Sequence, residues 1–167
     1  MIYLSTLSPN DIEQFYPTFT HVLKTEFPGY APEVIDFLLN RMYSVLNLRM
    51  WIQRGDKIIL VAKDEEKIVG FAIIDALYGG VSFCRWLGVM HEYQHKGIGT
   101  QLIYEWERIA RVQNAHKMEV AGQPTAKEFY VKRGLDLEGF RKASYFGIDQ
   151  HLFGKVLGSP NVGVMTK

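Results

Sequence analysis

A short glycine-containing segment between an apolar stretch and an amphipathic one constrains this chain more than any other feature. It reads Gln94-His95-Lys96-Gly97-Ile98-Gly99-Thr100, follows the apolar residues 81–89, and leads into a helical pattern that ends near Asn114. Glycines let a backbone adopt positive φ and approach a ligand closely. A helix N-terminus presents about four unpaired N–H groups and a dipole that favours anions. The pattern predicts a binding site for a pyrophosphate. The alternative is a strand-to-helix turn with a purely structural role.

The spacing inside this segment excludes two common nucleotide-binding motifs. A dinucleotide-binding fingerprint requires a third small residue at the position of Leu102. A phosphate loop of the Walker type requires Gly-Lys-Ser/Thr after four spacer residues, and the sequence has no such string. We therefore expect a different phosphate-containing ligand.

An overlapping string, His91-Glu92-Tyr93-Gln94-His95, matches the H-E-x-x-H motif of zinc hydrolases. That motif needs both histidines on one face of a continuous helix, with the glutamate as general base. Here the string lies between a predicted strand and two early glycines, and Gln101 stands where the extended motif has a third histidine. We expect no metal site and interpret both histidines as solvated loop residues, while zinc hydrolysis is kept as an alternative.

The rest of the pattern predicts one α+β domain. A strand at residues 2–6 and helices at about 8–25 and 32–53 precede strands at 58–62, 68–77 and 81–89. After the glycine segment and its helix come a strand at 117–121, a helix from Pro124 to Gly134, and two strands within 140–156. Because no linker divides the chain, we assign residues 1–157 to one domain with a mixed sheet and residues 158–167 to a loosely held tail.

Composition and charge exclude other classes of protein. The formal net charge of +1 gives no support for a nucleic-acid partner, which favours a strongly basic face. Cys84 is the single cysteine, so no intrachain disulfide is expected. No stretch approaches the ~20 apolar residues of a membrane-spanning helix, and the first residues lack the pattern of a secretory signal. We expect a soluble, cytoplasmic protein with neither a nucleic-acid nor a membrane partner.

Two motifs resemble the GNAT superfamily of N-acetyltransferases. Residues 87–99 are similar to the strand and the Gln/Arg-x-x-Gly-x-Gly/Ala loop of that family. Residues 126–135 are similar to its later helix, which reads Ala-x-x-x-Tyr followed by Gly-Phe. The motifs occur in the family's order, and the resemblance extends over about residues 58–157. It implies a mixed, mainly antiparallel sheet flanked by helices, and an N-acetyltransferase that uses acetyl-CoA.

The resemblance also implies roles for individual residues. Leu87 and Val89 would pair with the pantetheine arm of acetyl-CoA, the Val89 amide would polarise the acetyl carbonyl, and Gly88 would permit a bulge. Tyr130 would protonate the departing thiolate, although a tyrosine on this helix can also simply pack on the sheet. The cofactor-binding set expected from the resemblance is Leu87, Gly88, Val89, Gln94, His95, Lys96, Gly97, Ile98, Gly99, Thr100, Gln123 and Phe129.

The general base is the point at which the sequence departs from the family. Many members carry a glutamate on the fourth strand, but the spacing to Gly97 places Phe83 there. The stretch around Glu119 resembles a strand of ribosomal-protein N-terminal acetyltransferases, and Glu119 is therefore the leading candidate. Asp75, near the end of a predicted strand, is the second. Gln123 replaces the asparagine that the family usually has before its later helix.

The resemblance implies direct attack of a primary amine on the thioester in a ternary complex. The acceptor is left as a protein or peptide N-terminus or a small-molecule amine, and the aromatic residues within 27–32 and at 145–146 favour a partly apolar or peptide acceptor. We interpret Cys84 as a small buried hydrophobe and not as an acetyl carrier. A CoA-binding module without turnover is the second hypothesis, and a homodimer is left open.

Overall fold

Seven strands form one sheet in a computed structural model that describes residues 1–167. They are β1 (Ile2–Thr6), β2 (Lys57–Asp64), β3 (Lys67–Asp75), β4 (Val81–Val89), β5 (Lys117–Gly122), β6 (Asp136–Arg141) and β7 (Gln150–Val156). The order across the sheet is β1-β2-β3-β4-β5-β7-β6, and every neighbouring pair is antiparallel except β4 and β5. The α+β class and the mixed, mainly antiparallel sheet are confirmed.

Six α-helices connect and cover these strands. They are α1 (Ile12–Glu26), α2 (Pro32–Phe37), α3 (Val45–Arg54), α4 (Ile98–Val112), α5 (Lys127–Val131) and α6 (Val162–Met165). None of them combines the length and the apolar character needed to cross a lipid bilayer. The last of them lies in the predicted tail, where the side chain of Met165 approaches Gly80.

The single helix predicted for residues 32–53 is wrong. A π-helical turn at Leu38–Met42 follows α2, and its end is marked by a 2.7 Å hydrogen bond from Tyr43 N to Leu38 O. Ser44 then caps α3 by accepting from Asn47 N at 3.3 Å. The interruption allows the Tyr43 ring, which is 6% exposed, to turn inward against Trp86.

Each face of the sheet buries its own apolar cluster. One cluster contains Trp106 of α4 and Phe153 of β7, and the other contains Phe15 and Phe19 of α1. Trp106 Nε1 also donates to Ser82 Oγ at 2.8 Å, so this buried pair has no orphaned polar atom at the contact of α4 with β4. Helices α4 and α1 therefore pack against β4 from opposite faces of the sheet.

Strands β4 and β5 separate halfway along, and this separation positions the site. Their pairing ends at Cys84 and Val120, so residues 85–89 have no neighbour on the β5 side. A bulge lies at Arg85, because Ile73 pairs with Trp86 while Ile74 pairs with Cys84.

The bulge expected at Gly88 is therefore wrong. Gly88 pairs in register with Phe71 of β3. A Cβ added at Gly88 would lie 2.5 Å from Val22 Cγ1, so glycine is needed there for the close approach of α1 to the sheet.

Candidate active site

A cleft of about 1270 Å³ opens where β4 and β5 diverge. It extends from the glycine segment before α4, along β4, to the loop between α1 and α2 and the loop between β6 and β7. The predicted site residues that line it are Leu87, Gly88, Val89, Gln94, His95, Gly97, Ile98, Gly99, Thr100, Gln123, Phe129 and Tyr130. Two others, Lys96 and Glu119, do not line it.

The glycine segment forms a concave backbone turn at one end of the cleft. His95 and Gly97 both adopt positive φ, at 60° and 82°. The first residue of α4 with an intrahelical acceptor is Gln101, whose N–H donates to Gly97 O at 3.0 Å, so the N–H groups of residues 98–100 point out of the helix end. Nothing lies within 4 Å of the position of a Gly97 Cβ. Such a turn before a helix N-terminus fits an anion.

The second glycine of the segment has a different role. A Cβ at Gly99 would lie 2.9 Å from the Phe129 ring, so Gly99 allows α4 and α5 to pack closely. This contact places Phe129 beside the helix N-terminus and explains why it lines the cleft.

Arg133 is a cleft residue that the sequence analysis missed. Its Nε donates to Thr100 Oγ1 at 2.8 Å, its Nη1 donates to Phe129 O at 2.6 Å, and its guanidinium carbon lies 3.9 Å from the Phe129 ring centroid. These contacts fix a positive charge beside the turn. From sequence, an arginine just before Gly134 only suggests a favourable charge at a helix C-terminus.

The two histidines of the H-E-x-x-H string do not share a helical face. His91 lies in a short 3₁₀ turn, Gln94 is extended with ψ at 162°, and His95 has positive φ. Both histidines are exposed, as expected for loop residues. The paired arrangement that zinc hydrolysis requires is not formed, and the expected absence of a metal stays a prediction.

The edge of β4 that faces the gap carries free backbone groups. Met90 N donates to Val69 O of β3 at 2.9 Å. Because backbone groups alternate along a strand, the N–H groups of Leu87 and Val89 point to the opposite side, into the cleft. Gln94 Nε2 donates to Val89 O at 3.1 Å and to Glu26 Oε2 at 2.6 Å, which ties β4 to the end of α1.

Tyr130 both packs on the sheet and lines the cleft. It is 5% exposed, and its ring lies 4.9 Å from the Phe153 ring. A Cβ at Gly122 would lie 2.8 Å from Tyr130 Cε2, so that glycine makes room for the ring. Burial raises the pKa of Tyr130, with the neighbouring Cys84 as a smaller cause, and the phenol therefore stays protonated at neutral pH.

The acids proposed from sequence as the base are both engaged by cations. Glu119 lies outside the main cleft and forms a 3.0 Å ion pair with Lys117. Asp75 lines the cleft, but its two oxygens accept from Lys57 and Arg85 at 2.5 Å each. Glu26 also lines the cleft, and the sequence analysis missed it because it ends a helix far from both motifs.

Cys84 is buried on β4, as predicted. Its Sγ donates to Trp86 O at 3.3 Å, and burial raises the pKa of its thiol. A neutral, enclosed thiol is a poor nucleophile, which agrees with its interpretation as a small hydrophobe.

Solved structures with the same architecture are numerous, and several are acetyltransferases. The PaiA N-acetyltransferase from Thermoplasma acidophilum, solved in complex with coenzyme A, superposes with a TM-score of 0.80 at 22% identity, covering 93% of this chain and 99% of that one. An acetyltransferase of the GNAT family from Streptococcus pneumoniae gives 0.75 at 19% identity, with 95% and 100% covered. Ard1 from Thermoplasma volcanium gives 0.70 at 16% identity, with 95% and 99% covered. At these identities the likeness establishes the fold.

The sequence comparison establishes the family. No curated protein matches the chain with significance. The profile of the acetyltransferase (GNAT) family, however, matches residues 18–135, which include the glycine segment, the open edge of β4 and Tyr130. This chain therefore belongs to the GNAT family of acetyltransferases and is an acyltransferase.

Proposed function

We propose that this protein transfers an acetyl group from acetyl-CoA to a primary amine by direct attack within a ternary complex. The observation that carries the proposal is that one cleft joins three features: the glycine turn that fits an anion, the open edge of β4 and a buried tyrosine. The coenzyme A complex of the PaiA N-acetyltransferase, which shares the fold, supports the assignment of the donor.

The donor would lie along the cleft from the turn towards β5. Backbone N–H groups of residues 95–100 would hold its pyrophosphate, because the Gln94 N–H already donates to His91 O at 3.1 Å. The N–H groups of Leu87 and Val89 would hold its pantetheine arm, beside Gly88. Gln123 lines the cleft with a buried Nε2 that has no partner in the protein, which fits a pantetheine oxygen. The Lys96 ammonium lies 4.9 Å from the Tyr93 ring centroid, so only the backbone of Lys96 would contribute.

The reaction forms a C–N bond to the acceptor and breaks the C–S bond of the thioester. The Val89 N–H would meet the oxyanion as a fixed donor at the open edge of β4. Tyr130 would give its proton to the departing thiolate. The ammonium form of the acceptor, with a pKa of ~10, must lose a proton before it attacks.

Glu26 is the cleft acid best placed to take that proton, directly or through water. Gln94 links it to Val89 through hydrogen bonds of 2.6 Å and 3.1 Å, so its carboxylate lies near the end of β4 where the thioester would be held. No lysine or arginine pairs with it, and its ionic neighbour is His91, whose Nδ1 lies 3.8 Å from Glu26 Oε2. Asp75 and Glu119, in contrast, pair with lysine or arginine. This placement favours Glu26 over Glu119 as the base.

The Glu26→Gln variant is expected to lower kcat about tenfold at neutral pH. This decrease is smaller than the about 10²–10⁴-fold typical of a lost general base, because water can carry the proton instead. The deficit should shrink as pH rises, because more of the amine is then uncharged without help. The measurement is a pH–rate profile, with Glu92→Gln as the control, since Glu92 lies outside the cleft. A constant deficit at every pH would leave Glu26 as a structural residue.

Arg133 is expected to bind a phosphate of the donor, because its fixed guanidinium lies beside the turn. Arg133→Met should raise the Kd for coenzyme A about tenfold, since a hydrogen bond to a charged group is worth about 1.5–3 kcal/mol. Lys132→Met is the matched control, because Lys132 has the same charge and is 72% exposed. Calorimetry measures the Kd for coenzyme A in both variants. An equal increase in Kd in the two would contradict a specific contact between Arg133 and the donor.

The proposed function is tested by following CoA release with single amines and short peptides. Amine-dependent release with intersecting initial-rate patterns supports a ternary complex. Coenzyme A binding without release for any amine would instead favour a binding module.

A further inference from the structure

The end of the cleft away from the glycine turn is lined by aromatic side chains from separate parts of the chain. The members of this aromatic wall are Phe27, Tyr30, Tyr43, Trp86 and Phe146. Trp86 is central: its ring centroid lies 5.1 Å from that of Phe27, 5.7 Å from that of Tyr30 and 6.1 Å from that of Tyr43. Phe146 extends the wall, and its ring centroid lies 6.4 Å from that of Tyr30. The rings form one continuous apolar surface.

Phe146 is held in this wall by an uncommon backbone conformation. Its φ of 59° and ψ of 24° lie in the left-handed region, which bulky residues rarely adopt. Hydrogen bonds of 2.9 Å from Gly147 N to Ser144 O and from Ser144 N to Ile148 O hold the loop in this form. Strain of this kind persists where surrounding structure enforces it, and it clusters at ligand clamps.

The same loop meets the loop between α1 and α2. A Cβ added at Gly29 would lie 3.5 Å from Ile148 Cδ1, and the Phe146 ring also lies 6.2 Å from that of Phe37 at the end of α2. The two loops therefore contact each other at the end of the cleft that carries the wall. This contact leaves less room between the loops for a polypeptide and favours a compact acceptor.

The charges around the wall do not suit a polycation. Asp75 is neutralised by Lys57 and Arg85, and Glu26 accepts a hydrogen bond from Gln94. Asp56 is the one other acid that lines the cleft. A polyamine needs several unpaired carboxylates at intervals, because each buried ammonium must be compensated.

Resting on the proposed function, we infer that the acceptor is a small arylalkylamine, a primary amine joined by a short linker to an aromatic ring. Its ring would lie on the aromatic wall between Trp86 and Phe146, where offset or edge-to-face contacts are favourable. Its amine would point along β4 towards Glu26 and the donor.

The test compares 2-phenylethylamine with ethylamine, spermidine and a hexapeptide with a free N-terminus. We expect kcat/KM to be highest for 2-phenylethylamine, by about tenfold or more, as one apolar group in a fitted pocket gives about 10–200-fold discrimination. Phe146→Ala should remove about tenfold of this preference, measured as the ratio of kcat/KM for 2-phenylethylamine to kcat/KM for ethylamine. Phe140→Ala is the control, because Phe140 is similarly exposed and lies outside the cleft.

The outcomes separate this inference from the proposed function. Turnover that favours spermidine or the peptide, or an unchanged preference in Phe146→Ala, would overturn the inference and leave N-acetyltransfer intact. If no amine is acetylated, the proposed function fails. Calorimetry of 2-phenylethylamine with the CoA-saturated protein then decides the inference: binding that weakens in Phe146→Ala but not in Phe140→Ala supports it, and absent or unaffected binding overturns it.

Discussion

Replacing Gly97 by aspartate is expected to weaken coenzyme A binding by about 10²–10³-fold while the protein stays folded. Gly97 has φ of 82°, and the space around its would-be side chain is empty in the protein. In the proposed complex the pyrophosphate of the donor occupies that space. A carboxylate about 4 Å from a phosphate charge costs about 4 kcal/mol at the effective dielectric of a protein surface, which sets the upper end of the range.

Gly97→Asn is the matched control for this prediction. Asparagine has nearly the same shape as aspartate, has no charge, and tolerates the left-handed conformation better than most residues. The difference between the two variants therefore isolates charge from backbone strain. Calorimetry with coenzyme A, together with the Tm of each variant, measures it. Equal affinities in the two folded variants would place the pyrophosphate elsewhere.

The donor half of the cleft could be predicted from sequence because its information is local. The spacing of Gly97 and Gly99 after an apolar stretch indicates a strand, a tight turn and a helix within about thirty residues, the length of one such unit. The structure brings that segment and Tyr130 to one cleft, although they lie on different helices. Even here the reason for Gly99 was not visible, because its contact with Phe129 is made only in the folded chain.

The acceptor half could be predicted only in part. The aromatic residues expected within 27–32 and at 145–146 line the cleft, but Glu26 and Trp86 were missed because this half is assembled from distant parts of the chain. Glu26, Trp86 and Phe146 share a cavity only after α1, β4 and the β6–β7 loop pack together. The resemblance also misplaced the bulge at Gly88, since the register shift at Arg85 depends on pairing with β3.

The prediction of Glu119 as the base rested on motif similarity, and similarity does not show which cavity a strand residue faces. Strand alternation places Glu119 and Lys117 on one face of β5, where they pair with each other outside the cleft. A general base has to lie within hydrogen-bond reach of the proton that it removes, and only then does its pKa decide whether it can act.

Replacing Tyr130 by phenylalanine is expected to lower kcat about 10²-fold, the lower end of the range for one general acid. The loss stays at that end because a thiol has a pKa of ~8.5, so a CoA thiolate is a tolerable leaving group even unprotonated. Phenylalanine keeps the ring that packs against Phe153 and Gly122, so the Tm and the affinity for acetyl-CoA should change little.

The pH dependence gives this prediction a second readout. Burial raises the pKa of Tyr130, so in the wild type the acid stays protonated while the amine loses its proton, and kcat should not fall up to about pH 10, the usual pKa of a tyrosine. Tyr104→Phe is the control, because Tyr104 is 57% exposed on α4 and does not line the cleft. Single-turnover rates with a working acceptor make sure that chemistry is being measured. If Tyr130→Phe keeps the wild-type rate there, the proton comes from water or another group, and Tyr130 serves only to pack α5 against the sheet.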